Sequence, residues 1–526
     1  MFSRSTLVLV TLAAIFGGVY LWLVIPIATN VDISHRFDWP DETANYFWAK
    51  NYALKGQLVS PEPLNPVVAN QIHPRSFNVR ADGALVPGSF LGLILLYGTL
   101  AKIFSAKALI YFTPLLSIFG VLAFYGIIKR IFNEKVALIS AVIMFFHPAW
   151  WYYSATSMLP NVPFISLLLL SIYFLLRDSA IKLAQLLISA FLFGLAVSIR
   201  PTEIIWELAL YLAVLIYLRG KLKVRQLVLF LVIAAVAVLP SLSQQQALYG
   251  GFLTSGYQQL QNDLADSCQS CQVVKSLILP FGFHPTLVIS NFWTHYLSRL
   301  WWLSLLLILG LIAFLAKEGR QKSEIFGYIL LSLFVFGWLG IYYGSWQFSD
   351  LLTVHLNTLG LSYVRYWLPL SILALPFVAS GLVWLTSFFK ERWKNLGLAV
   401  FLIILFYSSA DLVLRAKPDS LLPVRDRIAV YKQNASQVID STPSNAVIVT
   451  VRKDKLFFPE RKVIHSFEAL SENQQLIEIL PSLIEKAPVY YYALGPEPTL
   501  EFDNGLKLDP VKNIGEEILY KLNKSK

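Results

Sequence analysis

Phe37-Asp38-Trp39-Pro40-Asp41-Glu42-Thr43-Ala44-Asn45-Tyr46-Phe47-Trp48-Ala49-Lys50 is the stretch around which this chain is organised. Two adjacent carboxylates stand here just after a first apolar segment, in surroundings that otherwise read as membrane. Asp38 suits an N-cap, Pro40 suits a first helical turn, and Gly56 is a natural stop. The predicted helix holds Asp41 and Glu42 at its electropositive end, which favours their ionised forms. Two readings are open. The acids either begin a solvated helix and complement its dipole, or they work. For the second, Trp39, Tyr46, Phe47 and Trp48 would press the helix against a membrane surface, where desolvation makes a carboxylate a better base.

The surrounding composition sets the class. Of 526 residues, 56% are hydrophobic and 14% charged, and the mean hydropathy is +0.59. A soluble chain of this length could not hide so much apolar surface, so a polytopic α-helical membrane protein is expected. The net charge of +11 sits mainly in short basic patches between apolar runs. That pattern reports topology, not a nucleic-acid partner. Leu7 to Ile27 reads as a retained signal anchor.

The patches are Lys129-Arg130 with Lys135, Arg177 with Lys182, Arg219 to Arg225, Lys317 to Lys322, and Lys390 to Lys394. Placing them inside with Arg4 predicts about eleven spans, near 6–28, 108–128, 136–154, 161–176, 183–200, 203–218, 227–246, 296–316, 325–344, 366–388 and 396–414. The N-terminus is then cytoplasmic and the C-terminus extracytoplasmic. Leu85 to Phe104 is expected as an interfacial or re-entrant helix, its start broken by Pro87-Gly88. The domains follow: a transmembrane domain over 1–415, with a first outer loop at about 29–86, and a small extracytoplasmic α/β domain over 416–526. Within the latter, Ala446 to Val451, Lys462 to His465 and Pro488 to Tyr492 read as strands, and Glu472 to Glu485 as a helix. Cys268 and Cys271 form a lone C-x-x-C in a long outer loop. They are a local clip or two idle thiols more readily than a redox or zinc site.

Chemistry beyond the acid pair comes from cations predicted on the same face. Arg200 and Arg365 end apolar segments; each alone could snorkel to lipid head groups, but together they suit a phosphate, which guanidinium binds bidentately. Arg75, Arg80 and His73 in the first loop are further candidates. His147 reads as a packing residue, and Glu203 and Glu207, four apart, could line an aqueous cavity. A base facing phosphate binders at the head-group plane implies a lipid-phosphate-linked donor. The carboxylate takes the proton of an attacking hydroxyl while the arginines stabilise the departing phosphate. Such a leaving group needs no separate acid, unlike glycoside hydrolysis.

Asp41-Glu42-Thr43-Ala44-Asn45-Tyr46, followed by Ala53-Leu54-Lys55-Gly56, resembles the GT-C superfamily of integral-membrane glycosyltransferases, in the branch of protein O-mannosyltransferases and aminoarabinose transferases. Pro87-Gly88, Gly194-Leu195-Ala196 leading to Arg200-Pro201-Thr202, and Arg365-Tyr366-Trp367-Leu368-Pro369 carry the resemblance over roughly residues 1–390. It implies a polyprenyl-phosphate sugar donor, reaction on the extracytoplasmic face, and inversion at the anomeric carbon. It also implies Asp41 as base, Glu42 as helper or acceptor contact, and Arg365 and Arg200 at the donor phosphate. The acceptor could be a lipid, a glycan or a protein. The chain departs from the oligosaccharyltransferase branch at Ser157-Met158-Leu159-Pro160-Asn161, which offers an asparagine where that branch has acidic metal ligands; no metal cofactor is therefore expected. The alternatives are a transporter or flippase of lipid-linked sugars, for which related halves with matching broken helices are expected but not found, and an inactive scaffold.

Overall fold

Apolar runs of about twenty residues can satisfy their backbone in lipid only as helices, and the chain folds accordingly. The computed structural model describes residues 4–28, 37–178, 181–259, 277–315, 323–348 and 358–524. Cys268, Cys271 and the Lys317–Lys322 patch lie outside the described residues. Six described helices are long and apolar enough to cross a membrane alone: Arg4–Val24, Ala106–Ile131, Val224–Tyr249, Ser323–Gly344, Leu368–Ser387 and Glu391–Leu414. Three bent pairs raise the number to nine. They are Glu134–Phe146 with Pro148–Ala155 (51°), Leu183–Ile199 with Pro201–Tyr217 (106°) and Pro285–Leu297 with Trp301–Leu315 (100°). Asn161–Leu176 is shorter, at 16 residues. Among the described residues the expected spans fall on helical segments, but 136–154 and 296–316 each run across a bent pair, and 183–200 with 203–218 make up the third. The protein is a polytopic α-helical membrane protein with six to nine candidate spans among the described residues.

The chain divides into two compact units: Met1–Val24, Ile110–Ser241 and Asp266–Val424 form one, and Ile25–Leu109, Leu242–Ala265 and Arg425–Lys526 the other. The first is the helical unit. Its Trp301–Leu315 and Leu368–Ser387 helices cross at Gly310 and Gly381, where a Cβ on Gly310 would lie 1.8 Å from the Phe377 carbonyl oxygen. Small residues let helix backbones touch where lipid supplies no hydrophobic drive to pair them.

The second unit contains the Pro40–Lys55 helix, a hairpin of β1 (Phe77–Val79) and β2 (Leu85–Pro87), and the Gly92–Phe104 helix. Pro87 therefore ends a strand, and the expected apolar helix opens five residues later, at Gly92. It has 13 residues, too few to cross a bilayer core unaided. The C-terminal residues form a five-stranded sheet in the order β4-β3-β5-β7-β6. β3 (Val447–Val451), β4 (Lys462–Ser466) and β5 (Val489–Ala493) are parallel, while β6 (Leu506–Ile514) and β7 (Glu517–Lys524) form an antiparallel hairpin. Period-two alternation splits the strands between two cores. Ile448, Tyr490 and Tyr492 face Trp48, Phe77, Ala435 and Val438, while Val447, Val449 and Tyr491 face Leu476, Leu480 and Leu483 of the Gln474–Ile484 helix. Ile72 and His73 extend the sheet by bridging to Ile464 of β4.

Gly310→Val is expected to lower the thermal midpoint of the detergent-solubilised protein by overpacking worth about 1–3 kcal/mol. Gly327→Ala, at a glycine with open space around it, should leave it nearly unchanged. Equal melting of the two variants would contradict the Gly310 crossing.

Candidate functional site

The Pro40–Lys55 helix begins one residue later than expected. Its N-cap is Trp39, in extended conformation, and Pro40 takes the first helical position. Asp38 does not cap. Its carboxylate accepts a fork from Arg427, Nε to Oδ1 at 2.9 Å and Nη2 to Oδ2 at 2.7 Å. Lys455 Nζ lies 3.8 Å from Asp38 Oδ1 and donates to the Asp38 carbonyl oxygen. Burial alone would raise the Asp38 pKa, but Lys455 and then Arg427 outweigh it and hold the carboxyl below its usual value. At the other end Gly56 is left-handed, φ 71°, and returns its N–H to Tyr52 O at 2.9 Å, the expected stop.

Asp41 and Glu42 share the first turn but not an environment. Asp41 is half-buried, and its Oδ1 accepts from Ser76 Oγ at 2.7 Å. Asn45, one turn along the same face, accepts from Ser89 Oγ at 3.1 Å. Glu42 is 3% exposed and turns back to accept the Trp39 N–H at 3.2 Å, the reciprocal arm of a capping box. Burial, then the Asp38 charge, push its pKa up to about 8. For Glu42 desolvation therefore defeats the helix dipole, and the expected ionised form gives way to a neutral acid at pH 7. The neighbouring aromatics also differ from expectation. Trp48 is fully buried and packs on Phe47 and Phe77, with Phe458 against both. Phe47 and Trp48 thus anchor the helix against other protein side chains.

The β1–β2 hairpin is tied to the 249–256 segment of the same unit. Tyr249 Oη donates to Pro87 O at 2.7 Å, and Asn78 Nδ2 donates to Gly256 O at 2.6 Å. A Cβ on Gly256 would sit 2.6 Å from Pro87 O, so backbone approaches backbone there.

In the helical unit, Arg200 and Arg365 come together over one ring. Their guanidinium carbons lie 4.8 and 4.9 Å from the centroid of Tyr366. Both side chains are buried, so neither extends outward in the manner of a snorkelling arginine. Arg200 donates from Nε and Nη2 to Glu203 Oε1 at 3.1 and 2.9 Å and to Tyr343 Oη at 2.8 Å. Trp206 Nε1 donates to the second Glu203 oxygen at 2.5 Å. Arg365 donates to Tyr366 Oη at 3.3 Å, and Asn161 donates its amide to the Arg365 carbonyl at 3.2 Å. Glu207 is fully buried, and neither carboxyl oxygen has a hydrogen-bond partner among the described residues.

The first-loop cations are engaged elsewhere in their own unit. Arg75 donates from its backbone N–H and from Nε to the Asp454 carboxylate, each at 2.8 Å. Arg80 pairs with exposed Asp82. His73 packs 5.0 Å from His465, and burial, then that neighbour, lower its pKa to about 4, so it is neutral near pH 7. His147 is buried at the bend before Pro148. No group of three or more His, Cys, Asp or Glu residues suited to a metal ion occurs among the described residues. The partners Ser76, Ser89, Arg427, Lys455 and Tyr343 are absent from the sequence expectations. Only Tyr366, adjacent to Arg365 in its motif, carried a local signal.

Because the folded Glu42 pKa lies above the ordinary glutamate value of 4.5, the folded state binds the extra proton between 4.5 and about 8. That contribution to stability is full at low pH and is lost as pH rises through about 8. Glu42→Gln should therefore flatten the decline in thermal midpoint over this window. A decline as steep as that of the parent would contradict the assignment.

The profile of the family described as dolichyl-phosphate-mannose-protein mannosyltransferase matches residues 91–243. No curated protein sequence matches the chain. Among solved structures, it is similar to apo ArnT from Cupriavidus metallidurans, with TM-score 0.51 and 11% identity over 97% of each chain. It is also similar to the Archaeoglobus fulgidus oligosaccharyltransferase in complex with Zn and sulfate, with TM-score 0.48 and 12% identity over 91% of this chain and 67% of that one. At such identity the ArnT likeness shows the fold alone: a polytopic helical protein with a β-rich C-terminal region.

Proposed function

We propose that the protein is a GT-C glycosyltransferase that moves a monosaccharide from a polyprenyl-phosphate donor to a hydroxyl on a lipid, glycan or protein. The observation that supports it best is the divided acid pair at the start of the Pro40–Lys55 helix. Asp41 is half-buried and oriented by Ser76, while buried Glu42 stays neutral at pH 7. Two adjacent acids held in different environments, one half-buried and one buried, have distinct uses. Asp41 is the base; Glu42 is a hydrogen-bond donor to the acceptor or to Asp41. Arg200 and Arg365 are the proposed donor-phosphate contacts, both held against the Tyr366 ring. Arg75, Arg80 and His73, engaged elsewhere, are given no phosphate contact.

The proposed step is a single displacement. Asp41 accepts the proton of the acceptor hydroxyl, the acceptor oxygen bonds to the anomeric carbon, and the bond from that carbon to the phosphate oxygen breaks. Attack opposite the leaving group inverts the anomeric centre. The arginines meet the charge that grows on the departing polyprenyl phosphate, so no step is routed through a divalent metal. In this reading the chain crosses the membrane about eleven times, with the N-terminus cytoplasmic and the C-terminus extracytoplasmic. The transmembrane domain is 1–415 and the extracytoplasmic domain 416–526.

Release of polyprenyl phosphate from a panel of synthetic polyprenyl-phosphate hexoses and pentoses, with membrane extract as acceptor, tests this. Asp41→Asn should lower transfer by about two to four orders of magnitude while still binding donor. Arg365→Gln should weaken donor binding. Undiminished transfer by Asp41→Asn would remove the proposed base and with it the mechanism.

A further inference from the structure

Charged contacts join the C-terminal segment to the first loop within their common unit, three of them among the described residues as follows. Lys462 pairs with Glu62 at 2.6 Å, Asp454 holds Arg75, and Arg427 with Lys455 holds Asp38. Only the last of these lies at the start of the acid-bearing helix. Arg427 fixes the Asp38 carboxylate, and Lys455 fixes both the carboxylate and the carbonyl of the residue just before the N-cap. The Lys455 side chain is itself buried. An ammonium out of water is tolerated when a charge partner and hydrogen bonds compensate it. Asp38 provides that partner, so the two groups hold each other in place.

From these contacts we infer that the C-terminal α/β domain is a working part of the proposed site. Arg427 and Lys455 are positioning residues that set the first turn of the Pro40–Lys55 helix, and with it Asp41 and Glu42, through Asp38. The inference takes the roles of the two acids from the proposed function, but its contacts and its test do not depend on a substrate.

Electrostatics supply a distinctive consequence. The charged groups acting on Glu42 are Asp38, Lys455 and Asp41, and Lys455 is the one cation among them. Arg427 and Lys453 act in turn on Asp38, and Arg75 and Asp454 on Lys455. Removing the Lys455 charge leaves burial and two anions opposing ionisation of Glu42. Its titration must then move to higher pH.

The experiment uses the full chain in nanodiscs as parent, Lys455→Met, Lys455→Arg, Arg427→Gln and, as control, Lys462→Met. Hydrogen exchange should rise about tenfold over residues 37–48 in Lys455→Met and Arg427→Gln, with β3 and β5 still protected. Lys455→Arg should restore protection. Infrared titration of the protonated carboxyl band that disappears in Glu42→Gln should show a midpoint near pH 8 in the parent. In Lys455→Met that midpoint should rise by about one pH unit, and Lys462→Met should not move it. Unchanged exchange and midpoint in Lys455→Met would overturn the inference. So would exchange that rises equally through β3 and β5, since that is general loosening. Transfer retained by Asp41→Asn would sink the proposed enzyme mechanism and leave these readouts standing.

Discussion

A charge taken out of water must be met by an opposite charge or by hydrogen bonds, and this constraint shapes both units of the protein. In the helical unit it places Glu203 and Tyr343 against Arg200 and sets Tyr366 beneath both arginines. In the second unit it binds Asp38 to Arg427 and Lys455. The constraint also explains why Asp41 and Glu42, neighbours in sequence, behave differently. One keeps partial access to solvent and a serine hydroxyl. The other is buried beside an anion and holds its proton.

Pairing of this kind does two things at once. It offsets the desolvation of each ion, and it fixes side chains that would otherwise sample many rotamers. Arg200, held by Glu203 and Tyr343 and lying against an aromatic face, is already oriented. A guanidinium ordered in this way loses little freedom when an anion arrives, which is what a transition-state stabiliser requires. The Glu203 contact also offsets the Arg200 charge, so a phosphate at Arg200 would have to compete for it. Backbone approaches backbone at Gly310–Gly381 in the helical unit and at Gly256–Pro87 in the second unit.

The sequence was most informative where a physical rule acts over short range. Apolar runs located the helices because lipid leaves the backbone no other option. Gly56 ended its helix because a left-handed cap suits glycine, and the β-branched runs of β3 and β4 read directly as strands. What escaped notice depends on distant partners. Arg427 and Lys455 lie hundreds of residues from Asp38, and nothing local at Asp38 reports them, so it passed for a cap. The aromatic flank of the acidic helix has the composition of a membrane-facing surface, yet Phe77 and Phe458 turn it inward. β6 and β7 were missed because polar residues and Pro510 interrupt their alternation. Pro201, beside Arg200, marks the place where the 183–199 and 201–217 helices bend by 106°. Among the candidate residues, the acid pair and the two converging arginines were legible as chemistry. The different burial of the two acids was not, since it depends on partners distant in sequence.

The central claim is that the lipid-linked substrate is a sugar on a polyprenyl phosphate, held by Arg200 and Arg365. Native mass spectrometry of the purified protein, with fragmentation of the lipids it retains, tests that claim most directly. The account predicts a bound polyprenyl-phosphate sugar, or the polyprenyl phosphate it leaves behind, in the parent protein and its loss from Arg365→Gln. Finding only bulk phospholipids in both, or a polyprenyl phosphate retained equally by the variant, would contradict it.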